Sequence, residues 1–218
     1  VAVVHDRGVF SVVLHRAETG AGTIVQDVYP SSILIEDGQR WFGLEADRRF
    51  GQHGSSPGSF FLPSIKRHLR NYAAGGTLSM DAFSGRFEVA ELLRSFLESV
   101  AASIRASGTV SRDEPLEAVI TWPANANGAQ RHITRQCFRD AGFDVLATLS
   151  EPTASAIELA DCLTGGRGGR ERREPAAVAV FDLGGGTFDA SVVWIDGDDF
   201  QVLASAGIED LGGDDLDR

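Results

Sequence analysis

The sequence is poor in cysteine and in basic residues, and it has no long apolar run. Its two cysteines, Cys137 and Cys162, are too few for a disulfide framework or a cysteine-based metal site. We expect both to be packed thiols of a cytoplasmic protein, since disulfides are rare in reducing compartments. The 20 Lys and Arg against 31 Asp and Glu argue against nucleic acid and anionic membrane surfaces as partners. No apolar run approaches the roughly 20 residues of a membrane span.

What is present is the composition of a globular protein. Apolar residues make up 43% and charged residues 23% of the 218 positions, which is enough for a sizeable core in one or two domains. The apolar pattern predicts strands and hairpins, a helical insert over about 40–115, then strand–helix–strand–helix, and finally hairpins again. The sequence therefore predicts a mixed α/β fold with antiparallel and crossover pairing.

Individual elements can be placed from spacing and turn residues. Helices are predicted over 63–72 and from about Arg86 to Ala106, and the second has apolar residues at three- and four-residue intervals. An Asp-Gly turn at 37–38 predicts a hairpin. The segment LEAVITW reads as a strand, and a helix over 127–141 is ended by Gly142. The glycine-rich, charged stretch 164–175 reads as an exposed loop.

Three consecutive glycines, Gly184 to Gly186, lie between two apolar β-branched runs. Ordering three glycines is costly, so such a run favours a positive φ or a close approach of the backbone to another group. Because strands are predicted on both sides, the run differs from the dinucleotide fingerprint and the P-loop, which place phosphate at a helix N-terminus. Two interpretations follow: an ordinary hairpin turn, or a turn whose N–H groups bind phosphate.

Four motifs now occur in order along the chain. They are W-P-A followed after five residues by Q-R (122–131), E-P-T-A (151–154), F-D-L-G-G-G-T-F-D (181–189) and G-G-D-D-L-D (212–217). Together they closely resemble the nucleotide-binding domain of the heat shock protein 70 (DnaK-type) chaperones. The resemblance is dense from about Val119 to the last residue. It implies the actin-like ATPase (ribonuclease H-like) fold, with a nearly complete first lobe over 1–188 and a truncated second lobe over 189–218.

The resemblance also implies a site for ATP or ADP and Mg²⁺. The residues that match the nucleotide-binding positions of the family are Asp6, Gly8, Gly184, Gly185, Gly186 and Thr187. Those that match carboxylates close to magnesium, mostly through water, are Asp6, Glu151 and Asp182. The residues implied to act in hydrolysis are Lys66, Glu151, Asp182, Thr187 and Asp189, where Asp189 stands near the attacking water and Lys66 reaches towards the γ-phosphate. Pro123 and Arg131 match residues that relay nucleotide state to the substrate domain.

The first phosphate hairpin departs from the family pattern D-L-G-T-T-N-S. Here the stretch is one residue shorter, and Val9 and Phe10 stand in place of two threonines. Neither side chain can donate a hydrogen bond, which puts efficient hydrolysis in question. Three interpretations stay open: a chaperone ATPase, a non-catalytic nucleotide sensor or scaffold, and another actin-like ATPase. Co-chaperones and unfolded client proteins would bind through regions absent from this chain.

Overall fold

The computed structural model describes residues 2–4, 10–19, 22–54, 57–69, 77–79, 86–163, 174–185, 187–208 and 211–216. The chain forms two compact units. Unit 1 comprises Val1–Ala118 and His132–Val145, and unit 2 comprises Val119–Arg131 and Leu146–Arg218. The lobe boundary expected at residue 188 stays a prediction. Within the described part, no helix is long and apolar enough to cross a membrane.

Short antiparallel sheets and three helices make up most of unit 1. The strands are β1 (Ala2–Val4), β2 (Phe10–Val12), β3 (His15–Thr19), β4 (Gly22–Gln26), β5 (Ile33–Glu36), β6 (Gln39–Phe42), β7 (Ser59–Leu62), β8 (Thr77–Ser79) and β9 (Arg86–Glu88). The helices are α1 (Gly43–His53), α2 (Lys66–Leu69) and α3 (Val89–Ala106). Strands β1 and β2, β3 and β4, and β8 and β9 form hairpins, while β5 lies between β6 and β7.

Helix α3 is the centre of the core of unit 1. Its buried residues recur at three- and four-residue spacing: Val89, Leu92, Leu93, Phe96, Leu97, Val100, Ala101 and Ile104. They pack in one cluster with Ile33 and Ile35 of β5 and with Cys137. The Cys137 thiol donates to Ala90 O at 3.4 Å, and burial raises its pKa to about 11. This cysteine is therefore a packed, unreactive thiol, as expected.

The elements from residue 116 onward carry the candidate site. They are β10 (Leu116–Trp122), α4 (Gly128–Asp140), β11 (Phe143–Ser150), α5 (Glu151–Leu163), β12 (Ala176–Leu183), β13 (Phe188–Asp196), β14 (Asp199–Ile208) and α6 (Gly213–Leu216). Strands β10 and β11 are hydrogen-bonded neighbours, and β12, β13 and β14 form an antiparallel sheet in that order. The side chains of Ala156, Val193 and Ile195 form a small buried cluster between this sheet and α5.

Most predicted elements are present, and three expectations are wrong. Residues 86–88 form β9 rather than the first turn of the long helix, because they pair with β8. Within 63–69, only Lys66–Leu69 is helical. The helical insert expected over about 40–115 stays a prediction, and this range contains β6 to β9 as well as α1, α2 and α3. Cys162 is exposed, because the buried face of α5 is set by Ala156 and Ala160.

Candidate functional site

The glycine run is a tight connection between β12 and β13. The two strands stay in register up to the pair Leu183–Phe188, so only residues 184–187 join them. The N–H of Gly184 donates to the carbonyl oxygen of Thr187 at 2.9 Å, and the N–H of Gly213 donates to the carbonyl oxygen of Gly184 at 3.0 Å. The predicted antiparallel hairpin is thus confirmed, and no helix follows the glycines. Gly186 lies outside the described residues.

The described part of the chain gives no reason of its own for a glycine at position 184. The φ of Gly184 is not in the left-handed region, and a Cβ built there would meet only the carbonyl oxygen of Thr187, at an ordinary 3.6 Å. Neither backbone strain nor packing within the described chain therefore accounts for the missing side chain. A close approach of the backbone to another group, such as a ligand, is the remaining physical reason for a residue without a side chain.

The face of the sheet that packs on α5 changes from apolar to acidic towards the glycine turn. Cross-strand rows on this face, in order, are Val178–Val193–Val202, Val180–Ser191–Ser205 and Asp182–Asp189–Gly207. Residues two apart on a strand share a face, so the register itself places the acidic row at the turn. The hydroxyl of Ser191, which is buried, donates to Ser205 Oγ at 3.0 Å in the middle row.

Three carboxylates line one small cavity of unit 2. The cavity has a volume of about 10 Å³ and is lined by Ala124, Glu151, Pro152, Val180, Asp182, Asp189 and Ser191. Such a volume is close to the minimum needed for one water molecule. The structure therefore brings together Glu151, Asp182 and Asp189, which the sequence had assigned to one site from separate motifs.

The pair Asp182 and Asp189 is electrostatically unfavourable without a cation. The two residues are directly opposite each other on β12 and β13, where like charges destabilise a sheet. Asp182 is exposed and Asp189 is half-buried. Two carboxylates held this close favour a bound cation or the N–H groups and hydroxyls of a ligand.

Glu151 reaches the same cavity from the first residue of α5. The hydroxyl of Ser150, the residue before the helix, accepts from the N–H of Thr153 at 3.2 Å and lies 2.6 Å from Thr153 Oγ1. This is the arrangement of a helix N-cap. Pro152, which is buried, is tolerated because the first turn of a helix needs no donor there. The E-P-T-A motif thus places a carboxylate at the helix N-terminus, beside the cavity.

Pro123 belongs to a turn that borders the cavity, and Arg131 of α4 contacts that turn. The N–H of Ala126 donates to the carbonyl oxygen of Pro123 at 3.0 Å. The Arg131 guanidinium donates to the carbonyl oxygen of Ala126 at 2.9 Å and lies 5.6 Å from the centre of the Trp122 ring. Because Ala124 of this turn also lines the cavity, Arg131 holds the backbone that forms part of its wall.

The carboxylates suit a cation bound mainly through water. Magnesium prefers oxygen ligands in octahedral geometry and usually keeps several waters. Among the described residues, no three His, Cys, Asp or Glu side chains are close enough to coordinate one ion directly. Glu151 and Asp182 therefore fit a magnesium ion with intervening waters better than they fit a closed protein cage.

The other site residues named by the sequence are elsewhere or undescribed. Lys66 is an exposed residue at the start of α2 in unit 1, and its role stays a prediction. Asp6 and Gly8 lie outside the described residues. Thr187 is half-buried in the glycine turn, and Gly185 is exposed there. Sequence reasoning missed Ser191 and Gly207. Alternation along β13 would have indicated Ser191, but Gly207 could be found only from the pairing of β13 with β14.

A larger cavity, of about 380 Å³, lies in unit 1. Its charged lining residues include Arg16 and Glu45, but Glu45 is already paired with Arg48 and Arg49 at 2.5 and 2.7 Å. Those ion pairs lower the pKa of the Glu45 carboxyl. Because the Glu45 carboxylate is already neutralised by two arginines, it has few free acceptor positions for a ligand. The larger volume of this cavity therefore does not make it a better candidate for the functional site than the small cavity of unit 2.

Comparison with known proteins identifies the family of the part of the chain that contains the small cavity. The model of the Hsp70 protein family matches residues 78–218, which include every element that lines the small cavity. The chain belongs to the Hsp70 family.

Curated relatives match along about half of this chain. A protein named chaperone protein HscA homolog, from Acidithiobacillus ferrooxidans, is 44% identical over 105 residues, which are 48% of this chain and 16% of that protein. Heat shock 70 kDa protein 7, chloroplastic, from Arabidopsis thaliana is 42% identical over 106 residues, which are 49% of this chain and 14% of that protein. The matched region is thus a small part of these relatives.

Proposed function

We propose that this chain supplies part of the ATP site of an Hsp70-type chaperone, and that the complete protein hydrolyses ATP with magnesium to drive a conformational cycle. The observation that carries the proposal is the juxtaposition of three carboxylates with a glycine turn whose first glycine has no explanation in the packing of the described residues. Family membership supports nucleotide binding in general and removes the reading of a sugar kinase or filament protein.

Each residue of the site has a distinct proposed role. The N–H groups of the glycine turn bind phosphate oxygens, and the Thr187 hydroxyl donates to the γ-phosphate. Glu151 and Asp182 hold the waters of a magnesium ion, which when bound neutralises charge on the phosphates. Asp189 orients the attacking water, and Lys66 supplies a cation at the γ-phosphate. Phosphoryl transfer needs little covalent chemistry from the protein, so positioning and charge carry the catalysis.

Arg131 and Pro123 are proposed to relay the state of the site. A shift of the cavity wall would move the turn 123–126, and the Arg131 contact to Ala126 would transmit that shift to α4. The wider assignments are proposals of the same kind: binding of ADP as product, co-chaperones and unfolded client proteins as partners, a role in the stress response, a cytoplasmic location, and a lobe boundary near residue 188.

The test measures ATP binding and ATP hydrolysis separately on the full-length protein that carries this sequence. We expect magnesium-dependent binding and turnover, and we expect Asp189→Asn to abolish most turnover while ATP still binds. Asp144→Asn, an exposed carboxylate of β11, is the matched control and should leave both unchanged. Binding without turnover in the wild type would instead favour the sensor or scaffold, as the substitutions at Val9 and Phe10 suggest. No binding at all would refute the proposal.

A further inference from the structure

We propose that Gly207 is a positioning residue for Asp189. By lacking a side chain, Gly207 leaves room for the Asp189 carboxylate to lie across β14, in the orientation that the cavity requires. The catalytic consequence of this inference rests on the proposed function, whereas its geometric part rests on packing alone.

The packing is tight at this point of the sheet. Gly207 is directly opposite Asp189 in the register of β13 and β14. A Cβ built on Gly207 would lie 3.2 Å from Asp189 Cγ, 3.3 Å from the carbonyl oxygen of Phe188, and closer still to Asp189 Oδ1. These distances are shorter than normal van der Waals contact, so any side chain at 207 displaces the carboxylate.

The backbone gives no other reason for glycine here. The φ of Gly207 is not in the left-handed region, and the residue lies near the end of a ten-residue strand, away from the irregularity in its pairing with β13 at Val192 and Val193. Glycine inside a strand loses more conformational freedom on folding than other residues do and leaves nothing to pack, and it often marks a close approach by another group. At Gly207 that group is the Asp189 carboxylate.

Charge repulsion limits one direction in which the carboxylate can move aside. On the other side of β13, Asp182 is directly opposite Asp189, and a shift in that direction would bring two negative charges closer together. A displaced Asp189 must therefore leave the plane of the acidic row. We infer that a single methyl group at 207 is enough to disorganise the carboxylate cluster while leaving the sheet paired.

The first experiment is kinetic and uses the full-length protein. Gly207→Ala should lower kcat for ATP hydrolysis on the order of 100-fold, as expected for a displaced catalytic group, with the dissociation constant of ATP within about twofold. In an Asp189→Ala background, the same Gly207→Ala change should cause no further loss. Gly128→Ala is the control, since a Cβ there meets nothing within 4 Å. An unchanged kcat, or equal losses in both backgrounds, would overturn the inference.

The second experiment does not depend on ATP turnover. Gly207→Ala should lower the urea midpoint of the otherwise unchanged protein, because the methyl group clashes with the carboxylate. In the Asp189→Ala background the same change should lower the midpoint much less or not at all, because the clash with the carboxylate is gone and only the 3.3 Å contact with the carbonyl oxygen of Phe188 remains. This difference between the two backgrounds would support the inference even if the wild type hydrolysed no ATP, a result that would defeat only the proposed function. Equal losses in the two backgrounds would overturn the positioning role.

Discussion

Replacing Asp189 by Asn should stabilise the ligand-free protein while it removes function. The substitution keeps the shape of the side chain and removes one of the two opposed charges on β12 and β13. The Cβ atoms of directly opposite residues lie about 5 Å apart, and two unit charges at that distance repel by about 0.8 kcal/mol in water. This value is an upper bound, because the Asp189 carboxylate leans towards Gly207 of β14, away from Asp182. Because Asp182 is exposed and Asp189 only half-buried, solvent screens the repulsion between them. The free energy of unfolding of Asp189→Asn should therefore exceed that of the wild type by between about 0.2 and 0.8 kcal/mol.

The assay is urea unfolding at low and high salt, followed by hydrogen exchange of the β12–β14 amides so that the sheet is observed separately from the rest. A gain of about 0.8 kcal/mol moves the urea midpoint up by about 0.3–0.8 M. The gain should shrink at high salt, since the Debye length falls to about 3 Å at 1 M. Asp144→Asn serves again as the carboxylate-to-amide control, with no shift expected.

A lower midpoint in Asp189→Asn would refute this reasoning. It would show that Asp189 is held by an attraction stronger than its repulsion from Asp182. A gain that persists unchanged at high salt would also contradict it, because the stabilisation would then not be electrostatic.

Three further predictions follow. Burial lowers the pKa of His15 below its ordinary value, and burial with the neighbouring Arg67 lowers that of His68. As pH falls below about 6.5, the unfolded chain therefore takes up protons before the folded protein does, so the free energy of unfolding is highest above that pH and declines below it. His15→Phe should weaken this decline. His132→Gln, at an exposed position, is the control and should not change it. The 218-residue chain alone should bind ATP with a dissociation constant well above micromolar, because association entropy costs several kcal/mol. Calorimetry measures this constant, and a tight site would contradict the prediction. In an active full-length protein, Thr187→Ala should slow hydrolysis more than it weakens ATP binding. Lys66→Ala should remove ~3–4 kcal/mol of transition-state stabilisation, and an unchanged rate of hydrolysis in this variant would contradict the prediction.

The elements with local signals could be predicted from the sequence. The Asp37-Gly38 turn has positive φ at both residues, as a tight hairpin turn requires, and β10 was predicted with its observed bounds. In α4, Asn127 and Gln130 exchange hydrogen bonds between side chains and N–H groups at 2.9 and 2.8 Å, which is a capping box in its first turn. These features depend on residues only a few positions apart.

Features set by long-range pairing could not be predicted in the same way. The strand β9 consists of Arg86–Glu88, which continue the apolar spacing of α3, and only pairing with β8 makes them a strand. The strand β7 was missed because Phe60 and Phe61 follow a polar glycine-rich loop and pair with β5, about 25 residues earlier. The role of Gly207 depends on its register against Asp189 and has no local signature.

The polar side chains around His15 in unit 1 and the acidic row of unit 2 differ in their hydrogen-bond partners. In unit 1, His15 is fully buried, and its Nδ1 lies 2.8 Å from Ser103 Oγ, while the Tyr29 hydroxyl donates to Ser99 Oγ at 3.0 Å. Among the described residues, His15 Nε2 has no hydrogen-bond partner. In unit 2, neither Asp182 nor Asp189 has a hydrogen bond or ion pair with another described residue, and their opposition costs stability. Among the described residues, the two aspartates of the acidic row are without partners while the backbone turn beside them is fixed by hydrogen bonds, an arrangement that suits a ligand. Binding of that ligand should therefore stabilise unit 2 more than any single contact within the acidic row.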